Sequence, residues 1–130
     1  MDFQKIRTVA VVGISNNPER PSYRVADYLQ QAGYRIIPVN PGLPAILGET
    51  CYANLTDIPA EIQLDVVDIF RRSTEVLPIV REAVARPGVK VIWMQEGVVN
   101  QEAATLAREA GIEVLMDSCI AKEHQKLNSG

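Results

Sequence analysis

The segment GISNNPERPS, Gly13 to Ser22, follows the apolar run TVAVV and leads into a helical pattern. A glycine at such a point lets the chain turn tightly. The first amides of the following helix, at the positive end of its dipole, suit a phosphate. Ser15, Asn16 and Ser22 supply hydrogen-bond donors and Arg20 a positive charge, so Gly13, Ile14, Ser15 and Asn16 form a candidate anion cradle. A dinucleotide fingerprint would continue with two more glycines, one for backbone contact with the pyrophosphate and one for close helix packing. Ser15 and Pro18 stand in that region instead. Any βα turn also needs one glycine and some polar residues, so the loop alone leaves both readings open.

Four further segments carry chemistry. Asn40-Pro41 follows the second apolar run, where an NAD-binding chain is expected to place a ribose-binding acid; Asn40 can hydrogen-bond a ribose or an adenine but lacks a carboxylate's grip on a diol. Phe70-Arg71-Arg72-Ser73 follows the third run. Arginine forks match phosphate oxygens and stack on adenine. Two arginines at a helix start oppose the dipole, which points to an anionic partner, a solvated helix start being the other reading. Trp93-Met94-Gln95-Glu96-Gly97 follows the fourth run, with Gln95 and Glu96 as ligand candidates and Trp93 divided between core and site. Cys119 and His124 are the only pair resembling a nucleophile and its base. Their five-residue separation aligns them poorly on a helix, and no third group orients the base.

The elements that must position these residues alternate. Five Val- and Ile-rich runs, Thr8–Val12, Tyr34–Val39, Leu64–Phe70, Val89–Met94 and Ile112–Met116, read as strands buried on both faces. Helical faces lie between them: Val25, Leu29 and Ala32, closed by Gly33; Val76, Val80, Ala83 and Val84, with Pro78 tightening or kinking the first turn; and Ala103, Leu106, Ala107 and Ala110, capped by Asn100 and ended by Gly111. This alternation predicts a parallel sheet covered on both faces. The link from Pro41 to Ile62 is rich in proline and glycine, is expected to hold only turns or a short helix, and is placed beside the ligand. Ile120–Leu127 reads as a short helix with a frayed end at 128–130.

The 130 residues fit one domain large enough to bury a core. A net charge of −3 gives no basic footprint for a nucleic-acid backbone. Cys51 and Cys119 are far apart and outside any CxxC spacing, so they read as reduced thiols and, with one histidine, supply no ordinary zinc set. No apolar run approaches the ~18 residues of a membrane helix. A cytoplasmic protein is expected.

Across nearly its whole length, through VAVVGISNNPERPSYRVADYL, GYRIIPVNP, GETCYANLTDIP, DVVDIFRRSTEVLPIV, VIWMQEGV and AGIEVLMDSCIAKEH, the chain resembles the stand-alone bacterial coenzyme A-binding proteins. These are similar to the nucleotide-binding domain of the succinyl-CoA synthetase α subunit. The resemblance implies a Rossmann-like sheet that binds CoA through its adenosine and diphosphate. By match to the family pattern, Gly13, Ser15 and Asn16 line the diphosphate loop, Pro41 stands in the second-strand loop, and Gln95 and Glu96 match the loop after the fourth strand. Arg20, Ser22, Phe70, Arg71 and Arg72 join them from their place on the same rim. Where the synthetase has a lysine after its TPG turn, Leu43 follows NPG here, leaving Arg71 or Arg20 to replace that contact. The catalytic histidine of the synthetase belongs to a later domain outside this sequence, so the resemblance implies binding without acyl-CoA synthesis.

The expectation is therefore an α/β, Rossmann-like, doubly wound sheet of five parallel strands in order 3-2-1-4-5, three-layered, with CoA or an acyl-CoA as its small-molecule ligand and no nucleic-acid or membrane partner. An NAD(P)- or thiol-dependent enzyme using Cys119, and a nucleotide-sensing regulatory module, are the rival readings.

Overall fold

A computed structural model describes residues 1–129. The chain runs β1 (Thr8–Val12), α1 (Pro21–Gln31), β2 (Arg35–Val39), β3 (Ala45–Ile46), β4 (Glu49–Thr50), β5 (Val66–Ile69), α2 (Val76–Val84), β6 (Val91–Met94), α3 (Gln101–Glu109), β7 (Glu113–Leu115) and α4 (Ile120–Ser129). All five expected strands form, the first over its whole apolar run and the other four a little shorter than theirs, and they pair in parallel. Successive residues of a strand point to opposite faces. Ala10, Val12, Val67, Ile69, Ile92 and Met94 therefore meet α2 and α3 on one side. Val9, Val11, Val66, Val91 and Trp93 meet α1 and α4 on the other. Helices on both faces explain why the strands read as unbroken apolar runs.

The expected strand order is corrected. The sheet runs β2-β1-β5-β6-β7, so the third long strand lies in the centre and β2 forms an edge. Pro38 is the physical reason. It stands inside β2 and has no N–H to give, which confines it to an edge strand. Its carbonyl faces outward and accepts from Tyr52 N at 3.0 Å, while Asn40 N donates to Tyr52 O at 2.8 Å. Tyr52 forms a parallel bridge to Val39. The link thus occupies the edge where a third strand would have paired.

That link also differs from expectation in holding a small antiparallel hairpin, β3 with β4, rather than turns or a short helix alone. Leu47 and Gly48, both at positive φ (56° and 76°), close it as a two-residue turn whose twist matches the strands. Leu47 is an unusual occupant for such a turn, so no Asn-Gly or Asp-Gly pair announces it. Gln30 Nε2, on α1, donates to its carbonyl at 3.0 Å.

The helix ends follow the sequence more closely. Asn100 Oδ1 accepts from Ala103 N at 2.9 Å and caps α3. A 3-10 turn, Ser73–Glu75, precedes α2, and Pro78 falls in the first helical turn, where a missing N–H costs nothing. Ala104 rather than Ala110 completes the buried face of α3. Of the tail expected to fray, 128 and 129 belong to α4, and Gly130 lies outside the described residues.

Two contacts bind the ends of the central strands together. Asp65, at the lower end of β5, accepts from Arg7 N (2.8 Å) and Thr8 N (3.1 Å). At the upper end, Gly13 N donates to Val39 O and Phe70 N to Val12 O, each at 2.8 Å. Gly13 has a φ of +84°, and a β-carbon there would overlap the Phe70 carbonyl oxygen and lie 2.7 Å from Arg71 Cδ. Gly13→Ala combines left-handed backbone strain with this overlap, and is expected to destabilise the fold by at least about 2 kcal/mol. Urea denaturation of the variant measures the loss; an unchanged midpoint would contradict it.

Candidate ligand-binding site

The loops after β1, β2, β5 and β6 gather at the carboxyl end of the sheet, where open α/β sheets bind ligands. Their position is fixed from within. Ser15 N donates to Ser22 Oγ at 2.9 Å, Asn17 N to Ser15 Oγ at 3.0 Å, and Arg20 N to Asn17 O at 3.0 Å. These short-range bonds wind the loop into the start of α1, with Pro21 at its first position. No side chain caps that helix and no acid occupies its first turn, so its N-terminal donors and dipole stay available to an anion. The loop after β6 is tied to the loop after β5 by Val99 N to Ser73 Oγ (3.0 Å) and Asn100 Nδ2 to Ser73 O (2.9 Å).

Of the cavities on this rim, two lie one over each face of the sheet. The larger, about 490 Å3, is lined by Ser15, Arg20, Ser22, Phe70, Arg71, Arg72, Gln95, Glu96 and Cys119, with Gly13, Pro21, Val25 and Val98. The smaller, about 170 Å3, is bounded by Val12, Gly13, Val39, Pro41, Ala53–Leu55, Arg71, Glu75, Ile79 and Glu82. Gly13 and Arg71 border both. Arg71 is half-exposed and held by Glu75, its Nε 3.2 Å from Oε2. That contact aims the guanidinium without burying it. The polar lining of the larger cavity sets three arginines and two serines against Gln95 and one acid, Glu96, itself paired with Lys122, a balance that favours phosphate oxygens.

Several expected site residues sit elsewhere on the rim. Ile14 is wholly buried, so only its backbone faces the loop, and Asn16 is exposed outside both cavities. Asn40 lines neither; its Nδ2 donates to Ile14 O at 2.6 Å and so braces the first loop against the second. Trp93 belongs to the core, 1% exposed, with Nε1 donating to Ser118 O at 2.8 Å. Glu96 is exposed and paired with Lys122 at 3.0 Å, which holds that ammonium above its usual range through the hydrogen bond and charge of the carboxylate. The link from Pro41 brings Ala53, Asn54 and Leu55 to the smaller cavity, in keeping with the place expected for it.

Cys119 and His124 do not converge. Cys119 lines the larger cavity, whereas His124 packs edge-on against Phe3, Tyr28 and Tyr34 and lines a separate cleft with Asp2, Gln4 and Leu127. Its Nδ1 is 2.7 Å from Tyr28 Oη. Neither cysteine is in a disulfide.

One residue near the site escapes sequence reasoning. Asp68 lies within β5, where the run DVVDIF offers no sign that both of its acids are buried. It is completely enclosed, and Oδ1 accepts from Gln95 Nε2 at 2.6 Å. Burial pushes its carboxyl up to about 8, the bond from Gln95 opposing that shift. A raised folded-state pKa means that the folded protein holds a proton the unfolded chain releases above about 4. Stability from this group is fully present below that pH and is lost as pH rises to about 8. The melting temperature of wild type relative to Asp68→Asn is therefore expected to fall between pH 4 and 8 and to level off above. A flat difference would contradict a buried neutral acid.

Comparison with known proteins places the chain in a family. The model of the CoA binding domain family matches residues 7–125. The uncharacterized protein YneT of Bacillus subtilis is 43% identical over 122 residues, 94% of this chain and 88% of that protein. A hypothetical protein from Pyrococcus horikoshii has a solved structure that superposes with a TM-score of 0.90 at 36% identity, covering 96% of this chain and 86% of that one. The ADP-forming acetate–CoA ligase II of Archaeoglobus fulgidus is 31% identical over 86 residues, which are 65% of this chain but only 12% of the ligase. Among the described residues no helix is long and apolar enough to cross a membrane.

Proposed function

This chain belongs to the CoA binding domain family, and on that premise we propose that it binds coenzyme A, or an acyl-CoA, at the carboxyl ends of the strands without transforming it. The diphosphate lies against the Gly13–Ser22 loop and the N-terminus of α1, with Arg20, Arg71 and Arg72 meeting its charge. The adenosine occupies the smaller cavity, where Val39, Pro41, Leu55 and Ile79 give an apolar bed. The rest of the molecule follows the larger cavity toward Gln95 and Cys119.

The observation that carries this reading is the meeting of the two cavities at Gly13 and Arg71. A ligand with an aromatic head, a diphosphate and a long neutral arm would pass from one to the other across a glycine whose backbone is bare and an arginine that faces both. Two features support binding over reaction. Cys119 and His124, the residues closest to a nucleophile and base, lie in different clefts. The named ligase matches this chain over a small part of its own length, so the shared ligand is carried over and ligation is not.

A ligand that binds only the folded state stabilises it by about 2.7 kcal/mol at 100 times its dissociation constant. For a chain of this length that is a rise in melting temperature of roughly 8–10 °C. CoA is expected to produce it, and NAD or NADP at the same concentration little or none, because Ser15 replaces the pyrophosphate-contacting glycine and no acid holds a ribose after β2. Equal shifts with NAD would overturn the assignment.

Arg71→Ala tests the phosphate contact. A charge-assisted hydrogen bond contributes roughly 1.5–3 kcal/mol, and the half-exposed, Glu75-paired position of Arg71 places the effect at the lower end. A loss of about 10-fold in CoA affinity by calorimetry is expected, with an unchanged melting temperature for the free protein. An unaltered dissociation constant would remove Arg71 from the site.

A further inference from the structure

Asp68 is a polar group that the contacts above leave unused. It lies on the central strand β5, in register with Val11 of β1 and Trp93 of β6, on the face packed against α1 and α4. Its Oδ2 has no partner among the described residues. A buried polar atom left unsatisfied is costly, and valine would fill nearly the same volume at no such cost. Asp65, three residues earlier on the same chain segment, shows the contrast: both its oxygens are occupied, by two backbone N–H groups and by Lys90 at 3.3 Å. Asp65 organises backbone. Asp68 holds only one thing, the amide of Gln95.

Gln95 has two ends, and it lines the larger cavity while being 3% exposed. Its Nε2 is committed to Asp68 below. The end left for the cavity is Oε1, to which nothing donates among the described residues. The same cavity is lined by Arg20, Arg71, Arg72 and Ser15. Its lining therefore offers donors and positive charge together with a fixed acceptor.

We propose that Asp68 is a positioning residue for ligand specificity: its hydrogen bond to Gln95 Nε2 fixes that amide so that Oε1 accepts from an N–H donor on the neutral arm of the ligand. This rests on the CoA-binding reading and deepens it. In CoA the anionic head continues into an arm carrying amide N–H groups, so the cationic donors and the acceptor of this lining match the two halves of one molecule. A glutamine free to turn over would present donor and acceptor alternately and select less well. A carboxyl side chain suits the task better than valine because its Oδ1 accepts from Nε2, a bond that valine cannot make.

The test compares CoA with 3′-phospho-ADP, which is the CoA head without its arm, by calorimetry on the full chain. Asp68→Val and Gln95→Leu are each expected to weaken CoA binding by about 3- to 10-fold, the effect of one neutral hydrogen bond, and to leave 3′-phospho-ADP binding as in wild type. Asp68→Asn, whose Oδ1 can still accept from Nε2, is expected to keep the wild-type preference for CoA. The double variant Asp68→Val/Gln95→Leu is expected to lose no more than either single one, since Asp68 acts through Gln95. Equal weakening of both ligands would make Asp68 a general support of the fold and overturn the proposal. So would losses that multiply in the double variant, or CoA affinity unchanged in Gln95→Leu, the variant that decides the matter if Asp68→Val does not fold. Failure of wild type to bind either ligand would instead strike the CoA reading itself, and this inference with it.

Discussion

The carbonyl oxygen of Phe70 occupies the place where residue 13 would carry a β-carbon. Everything at the carboxyl end of the sheet depends on that approach. With no side chain at Gly13, the turn after β1 can lie directly on the exit of β5, and its amide can reach across to Val39 at the end of β2. Three strands thereby finish at one point. Arg71 leaves β5 beside the bare backbone of Gly13 and borders both cavities. The glycine is thus first a requirement of chain crossing. Its accessibility to a phosphate follows from the same missing atom.

The two faces of the sheet have different work. On the α2 and α3 side the buried core is Val, Ile, Leu and Ala with Met94, and it borders a small cavity. On the α1 and α4 side the core includes Trp93 and borders the single buried Asp68–Gln95 pair, beneath a cavity nearly three times larger. Polar groups enter only near the strand ends, where loops supply partners. The interior below them stays apolar, which lets a buried acid remain neutral.

The elements were legible in the sequence because their signals are local. Val- and Ile-rich runs gave the five strands, and Asn100 gave the start of α3. The strand order was less legible because pairing is set by contacts distant along the chain. Pro38 nonetheless carries the information: a proline inside a strand marks an edge, and that alone excludes an order with β2 paired on both sides. In the site, residues chosen for type and position after a strand reached the rim in most cases, among them Ser15, Arg20, Arg71 and Gln95. The bond from Asn40 to Ile14 was not legible, since a side chain amide can brace a neighbouring loop as readily as it can face a ligand. Asp68 left no trace, because an acid within an apolar run looks the same whether its strand lies at the edge or in the middle.

The position of β1 also has a consequence for how the chain is made. Of the five strands of the sheet, β1 comes first in the chain, yet it lies inside the sheet, between β2 and β5. β2 follows after a single helix and can cover one edge at once. The other edge pairs with Val66–Ile69, and between them lie the rest of β2, the bridging Tyr52 and the whole proline-rich link. A nascent chain emerging from the ribosome therefore presents Val9–Val12 with one row of backbone groups unpaired until β5 has left the exit tunnel. Contacts this distant along the chain slow folding and prolong the exposure of apolar edges. Tyr52, which bonds the outer edge of β2, is synthesised well before then, so the half-made sheet can already be closed on one side while it waits for the other.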